Sequence, residues 1–403
     1  MRKFALQAFF YDYCIPTSHS SLSGGFLSGL EPMVRNLGLD SPVADACRAA
    51  AFASHGIKLH RKFLIYQAEI LHQNLLRHLA LRIQTPAANS KENLTIAVLL
   101  GLYQMIISEE NNPGHHTAHA AGVAAILQID NNYSRVLQTV LTGHPLLLGS
   151  RQKIGIPSPR VEIGIDRWLL NILIKFSPMW KRMEAFFAGV PNAQDIFDLA
   201  LDIKPELIIL DRELEDWQKS QKEEFKPVTI DSGVPPSINP GAGYYPGRVD
   251  MYIDLYVATL WNISRIALCI LKNLMARLPT MPSDDSYSEP DQQTAFHMAE
   301  DMIASLPYHL SEDLQIFLKD RHKHTKITNP GRPAGGLLIM HAIHAASRLE
   351  ILPLDMREYF ETCLTWMGKR MGIGQAAFLA EASGIDSKYL MDGWLLILLG
   401  LLV

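Results

Sequence analysis

Histidine spacing is where chemistry first suggests itself. His115, His116 and His119 share one short stretch, and His115 and His119 stand one helical turn apart, so both could reach one metal ion. A zinc-protease helix also needs a glutamate beside the first histidine, and His116 occupies that place. No acid or thiolate follows at ligand spacing. The expectation is therefore no metal, but a helix start with solvated histidines and a buried His119. His341 and His344 form a second pair on one face of an apolar segment. Neutral imidazoles there could do acid/base work near pH 7, or could be core histidines satisfied by backbone groups. His322 and His324, set among Lys319, Arg321, Lys323 and Lys326, read as a solvated basic loop.

The segment Arg248–Arg277 is the richest in polar groups within an apolar run. Asp250 and Asp254, and likewise Tyr252 and Tyr256, are spaced one helical turn apart, and Trp261, Asn262 and Arg265 share the face of Asp254. A buried Arg265 needs an anionic or carbonyl partner, which could be Asp254, another helix or a ligand. No Gly-x-Ser-x-Gly elbow supports a serine nucleophile, and no glycine-rich turn after a strand supports a nucleotide site.

These residues are positioned by helices. Apolar residues recur at helical spacing and strand-like alternation is scarce. The pattern predicts helices over 44–55, 64–83, 92–107, 115–128, 167–187, 205–222, 248–277, 292–306, 335–348, 355–371 and 388–402. The 92–107 helix is apolar almost all round and belongs inside a core. Residues 226–247 are rich in Pro and Gly and form a loop that could act as a pocket lid. No fixed-period repeat and no linker divides the chain. The expected fold class is all-α, one large multi-helix domain over 1–403.

Composition agrees. Of 403 residues, 48% are hydrophobic and 19% charged, so much of the chain is buried and wholesale disorder is excluded. A net charge of -4 gives no long-range pull on phosphate backbones. Cys14, Cys47, Cys269 and Cys363 lie too far apart for a zinc finger or binuclear cluster. Neither a signal peptide nor a membrane span is expected.

Several segments together resemble the helical regulatory domain of fungal zinc-cluster transcription factors. They are Phe9-Phe10-Tyr11-Asp12-Tyr13, Ala46-Cys47-Arg48-Ala49-Ala50-Ala51 with His55, Leu99-Leu100-Gly101-Leu102-Tyr103-Gln104, and the run from His119 to Leu127. Trp261-Asn262-Ile263-Ser264-Arg265, Ser305-Leu306-Pro307-Tyr308-His309-Leu310, Gly335-Gly336-Leu337-Leu338 and the stretch from Met371 to Ala377 complete the series. The resemblance implies an all-α fold and carries over no catalytic residues. Members of that family normally have a six-cysteine zinc cluster and a basic linker ahead of the domain. This sequence begins at the helical part.

Three readings follow. The first is a cofactor-independent cyclase or pericyclase of fungal secondary metabolism. Its concrete form is an intermolecular hetero-Diels–Alder reaction joining a polyketide-derived quinone methide to a terpene, in which a helical pocket holds apolar partners in a reactive pose. The second is a transcriptional regulator or effector-sensing, partner-binding domain without direct DNA contact. The third is a transcription factor whose zinc cluster is lost. The enzyme is put first because the DNA reader is missing. Its expected catalytic residues are His55, Gln104, Arg265, His341 and His344, with His119, Tyr256, Trp261 and His309 binding substrate. No metal or cofactor is expected. The expected partner is a hydrophobic small molecule, without nucleic acid or membrane, homo-oligomerisation is left open, and the location is cytoplasmic, with the nucleus as alternative.

Overall fold

Helices make up almost all regular structure in the computed structural model. It describes residues 1–16, 23–85, 91–109, 112–129, 193–231, 241–278, 288–320, 327–382, 385 and 387–401, with scattered positions between 169 and 189. In chain order the helices are α1 (Arg2–Tyr13), α2 (Leu30–Leu37), α3 (Pro42–Lys58), α4 (Lys62–Ile83), α5 (Lys91–Ile107), α6 (His116–Ile129), α7 (Ala193–Lys219), α8 (Leu255–Arg277), α9 (Ser288–Leu310), α10 (Leu314–Asp320), α11 (Pro333–Ser347), α12 (Leu354–Met371), α13 (Gly374–Glu381) and α14 (Ser387–Gly400). The all-α class read from the sequence is the class observed. Among the described residues, strands are limited to β1 (Val228–Asp231) and β2 (Val249–Met251), an antiparallel ribbon with a bulge between Thr229 and Asp231.

Local signals explain several helix starts. Ser41 caps α3 by accepting from the Ala44 amide at 3.3 Å, Pro42 opens the helix and Asp45 lies in the first turn. Asp254 caps α8 by accepting from the Val257 amide at 3.0 Å. That cap corrects the expected helix from Arg248. Asp254 is extended, so Asp250 and Tyr252 sit on or beside a strand and not one turn before Asp254 and Tyr256. The helix expected from Pro205 begins at Ala193, and Pro205 lies inside it. Proline deletes one backbone bond there, while the buried line Ala200, Ile203, Leu207, Leu210, Leu214 and Trp217 holds both halves to the core.

Three helices are buried nearly all round: α5, α8 and α11. Around α5 pack α3, α4, α6, α13 and α14; around α8 pack α7, α9 and α11. The α11 helix also meets α1, α12, α13 and α14, so it ties the two groups together. Small residues let α3 approach closely, with Ala44, Ala46, Cys47, Ala49, Ala50, Ala51 and Ala53 all buried. Lys272 of α8, itself buried, reaches Asp211 of α7 at 2.8 Å and Asp291 of α9 at 3.0 Å, which pins both neighbours. Among the described residues one helix, α8, is long and apolar enough to cross a membrane, but 89% of its apolar window is buried inside the protein. All four cysteines are free and buried, and burial pushes the thiols of Cys14, Cys269 and Cys363 up to about 12.

Two sequence features lie outside the described residues: positions 232–240 of the proline- and glycine-rich loop, and the basic stretch 321–326 with His322 and His324. Of the expected 167–187 helix, the scattered described residues are helical; Leu169, Ile172, Met179 and Met183 are buried, while Lys175 and Arg182 are exposed.

Candidate functional site

The densest polar cluster lies where α8, α9 and α11 meet. Arg265 is 1% exposed. Its Nη1 donates to the Tyr252 hydroxyl at 2.6 Å and to Asn262 Oδ1 at 3.0 Å, and its Nε lies 3.5 Å from Asp301. Burial works against the charge, but Tyr252 and Asp301 outweigh it and hold the guanidinium protonated. Arg248 shares Asp301 and pairs with Asp250 at 3.2 Å. The Arg265 guanidinium also lies 5.5 Å from the centre of the Trp261 ring.

A tautomer follows from this chain of contacts. Arg265 can only donate, so the Asn262 oxygen must face it and the Asn262 nitrogen must face the other way. That nitrogen donates to Ser305 at 2.9 Å and to His309 Nε2 at 3.2 Å. His309 Nε2 is therefore the acceptor, and Nδ1–H donates to the Gly335 carbonyl at 3.1 Å. Burial pushes His309 down to about 4, so it stays neutral as the network requires. Close approach makes the last contact. A Cβ on Gly335 would stand 2.1 Å from the His309 carbonyl oxygen, so only glycine lets α11 start against the end of α9. The Ser305–Leu310 and Gly335–Leu338 segments of the family resemblance thus meet in space.

A second cluster joins α4, α5 and α6. Gln104 Oε1 accepts from the His115 amide at 3.1 Å, so its nitrogen donates to His72 Nε2, also at 3.1 Å. The His72 ring stacks on Tyr103 at 4.5 Å and meets His119 edge-on at 6.0 Å. Tyr103 donates to Glu69 at 2.7 Å. Burial and the neighbouring His72, His116 and His115 push His119 down to about 4. The expectation of a buried His119 at a solvated helix start is corrected. His119 is half-buried, and His116 is the sealed residue, with its Nε2 held at 3.0 Å by the Tyr389 carbonyl of α14. The packing of α14 decides this, and helical period alone cannot show it.

The third cluster lies between α11 and α14. His341 is 1% exposed, and neither ring nitrogen has a hydrogen-bond partner among the described residues. It packs 5.6 Å from the Trp394 ring, and a Cβ on Gly393 would lie 2.5 Å from its Nε2. Burial, then His116 and His344, drive its pKa well below the usual value. His344 is pushed down to about 4 by burial and by Arg348, against the pull of the Leu379 backbone.

The nine expected site residues therefore fall in separate places. Trp261, Arg265 and His309 share one cluster, Gln104 and His119 a second, and His341 and His344 a third. His55 pairs with Asp12 at 2.9 Å and ties α3 to α1, and the Tyr256 ring lies against Gly24. Trp261 donates to the Phe225 carbonyl at 2.8 Å. Two hollows are described. One of about 110 Å³ lies beside Tyr244, Glu312, Phe317 and Ile327. The other, about 440 Å³, lies along Leu201, Lys204, Pro205, Ile208 and Ile209 of α7. None of the nine residues lines either. Among the described residues no group of His, Cys, Asp and Glu could hold a metal ion.

Over 410 aligned residues, covering all of this chain and 97% of the other protein, the sequence is 45% identical to "Transcription factor dbaG" of Emericella nidulans. The chain belongs to the family of this dbaG protein. No family model matches the chain, and no solved structure does.

The dbaG match overturns the reading put first from the sequence, a cyclase or hetero-Diels–Alderase. That reading took the missing cysteine cluster as a sign of a recruited enzyme. The dbaG protein, which matches this chain nearly end to end, is named a transcription factor, and that favours a regulator over an enzyme. The cytoplasmic location expected with the enzyme loses its support as well.

Asp301, His72 and His116 were not among the expected site residues. A signal for the first was present: Asp301, Ser305 and His309 are spaced at successive turns on one face of α9.

Proposed function

We propose that the protein is a transcriptional regulator that works in the nucleus without touching DNA itself, through a protein that reads the DNA. We also assign its helices to the regulatory-domain type of fungal zinc-cluster factors. The observation that carries the regulator reading is the 45% identity to the dbaG transcription factor along the whole chain, while the domain type rests on the sequence segments alone. The charge of -4 supports an indirect mode, because phosphate binding draws on a surplus of Lys and Arg. So do four cysteines that are separately buried and cannot act together as zinc ligands. The buried clusters around Arg265, His72 and His341 fit a scaffold role, since Arg265 and His72 bond to their own neighbours and His341 packs against Trp394.

Deleting the gene and profiling transcripts tests the reading, together with imaging of a fluorescent fusion and a gel-shift assay on the affected promoters. The expected result is nuclear signal, altered transcripts of a defined gene set, and no shift by the purified protein alone. Unchanged transcripts overturn the regulator. A shift by the protein alone overturns the indirect mode. A hydrophobic small-molecule ligand remains part of this reading, with the open apolar face of α7 around Leu201, Pro205, Ile208 and Ile209 as its proposed place. Binding of anilinonaphthalene sulfonate that Ile209→Glu abolishes would support that place, and binding that it leaves intact would remove it.

A further inference from the structure

The outer face of α4 has a composition that its own fold does not use. Its inner face is the line Ala68, His72, Leu75 and Leu79, which packs on α3 and α5. On the opposite side Phe63 is 59% exposed, Tyr66 63%, Ile70 38% and Leu81 69%, with Leu59 at 56% just before the helix. At 100° per residue Phe63, Tyr66, Ile70 and Leu81 point to one side; Phe63, Tyr66 and Ile70 are adjacent over ~10 Å, and Leu81 lies beyond the polar Asn74 and Arg77. Scattered exposed apolar residues are ordinary, but three adjacent ones on one helix face, two of them aromatic, make a patch that can seat the apolar side of another helix.

Charge selects the occupant. Arg61 and Lys62 sit at the start of α4, where the helix dipole is already positive, and the first turn has neither an acid nor a capping side chain. Arg77 lies on the same side of the helix and contacts Asn74 at 3.2 Å. No carboxylate pairs with Arg61, Lys62 or Arg77 among the described residues. The acids near this face are engaged, Glu69 with Tyr103 and Gln73, and Glu92 with Arg82. A second copy is a poor fit. Pairing two α4 helices in parallel sets Arg61 and Lys62 against themselves, and pairing them antiparallel sets them against Arg77 and Arg82. A lipid surface fits poorly too, because Asn74 and Arg77 would enter the hydrocarbon between Ile70 and Leu81.

We propose that the outer face of α4 docks an acidic amphipathic helix of a partner protein, with its apolar side on Phe63, Tyr66 and Ile70 and its carboxylates on Arg61, Lys62 and Arg77. This names a surface for the regulator's partner and rests on that reading only for the partner's role.

The probe is a fluorescein-labelled helical peptide of about 20 residues, with Leu at three- and four-residue spacing and Glu at most other positions. Its binding to the full chain is followed by anisotropy. The expected result is saturable binding that salt weakens. Phe63→Ala and Tyr66→Ala each weaken it about tenfold. Arg61→Glu with Lys62→Glu weakens it similarly and favours a Lys-for-Glu peptide instead. All these positions are exposed, and unchanged thermal melting confirms that the variants fold. No saturable binding overturns the proposal, as does binding that ignores Phe63 and Tyr66. A Tyr66-dependent dimer in sedimentation assigns the face to a second copy, and Phe63-dependent binding to phosphatidylserine vesicles assigns it to lipid; either overturns it. A protein that alters transcripts while α4 binds no peptide defeats this inference alone. Peptide binding without any transcript change defeats the regulator reading alone.

Discussion

Arg265 on α8 and His341 on α11 lie on helices that pack together, and both are all but sealed from solvent. They are accommodated in opposite ways. Arg265 cannot lose its charge, so the fold surrounds it with Tyr252, Asn262 and Asp301 and a supporting shell of Ser305, His309 and Arg248. His341 sheds its proton and sits among Trp394, Gly393 and apolar neighbours with no hydrogen bond among the described residues. The lesson is that burial depth alone does not mark a working site. A permanently charged group imposes a network on its surroundings, whereas a titratable one can be tolerated as a neutral ring.

The largest test of this contrast is Asp301→Ala. It leaves the buried Arg265 without its carboxylate and is expected to cost about 3 kcal/mol in urea denaturation. A loss below about 1 kcal/mol would mean that the hydroxyl and amide contacts hold the cation without help.

Acid comes next. Unfolded imidazoles take up protons near pH 6.5, while His309 and His344 resist until about 4 and His341 lies well below its usual value. The unfolded state thus binds more protons as pH falls, and stability that is complete above pH 6.5 is lost below it. By pH 5 each of His309 and His344 contributes a loss of about 2 kcal/mol, read from denaturation midpoints across that range. A flat profile between pH 6.5 and 5 would show that these rings are not neutral in the fold.

Tyr252→Phe removes one acceptor of Arg265 and keeps the ring. About 1 kcal/mol is expected, since a hydrogen bond to a charge is lost while the other contacts remain. His341→Phe should have the smallest effect, within about 1 kcal/mol of the parent in either direction, because the ring has no hydrogen bond to lose. A large loss there would reveal a polar partner of His341 and erase the contrast with Arg265.

How far the sequence could be read depended on what each residue answers to. Local period and caps determine the helices, and α3, α5 and α11 lie close to where the pattern puts them. Departures occur where a neighbour or a cap overrides the pattern. Asp254 fixes the start of α8, so the run before it pairs as strand β2. Pro205 resembles a helix start, yet sits within α7 because apolar residues on both sides of it face the same core. The polar partners are tertiary. That Arg265 meets Asp301 and not Asp254, or that His116 and not His119 is sealed, depends on how α8 meets α9 and α6 meets α14. As for function, nine separately plausible polar residues suggested a shared chamber that the packing divides among several clusters.

The burial of every cysteine has a practical consequence. Thiols held protonated inside the core do not compete for maleimide or bromobimane at neutral pH. The native chain is thus a silent background for labelling, and a thiol placed by Tyr66→Cys on the outer face of α4 would carry a dye or spin label alone. Occupancy of that face can then be followed in real time on an otherwise unaltered molecule.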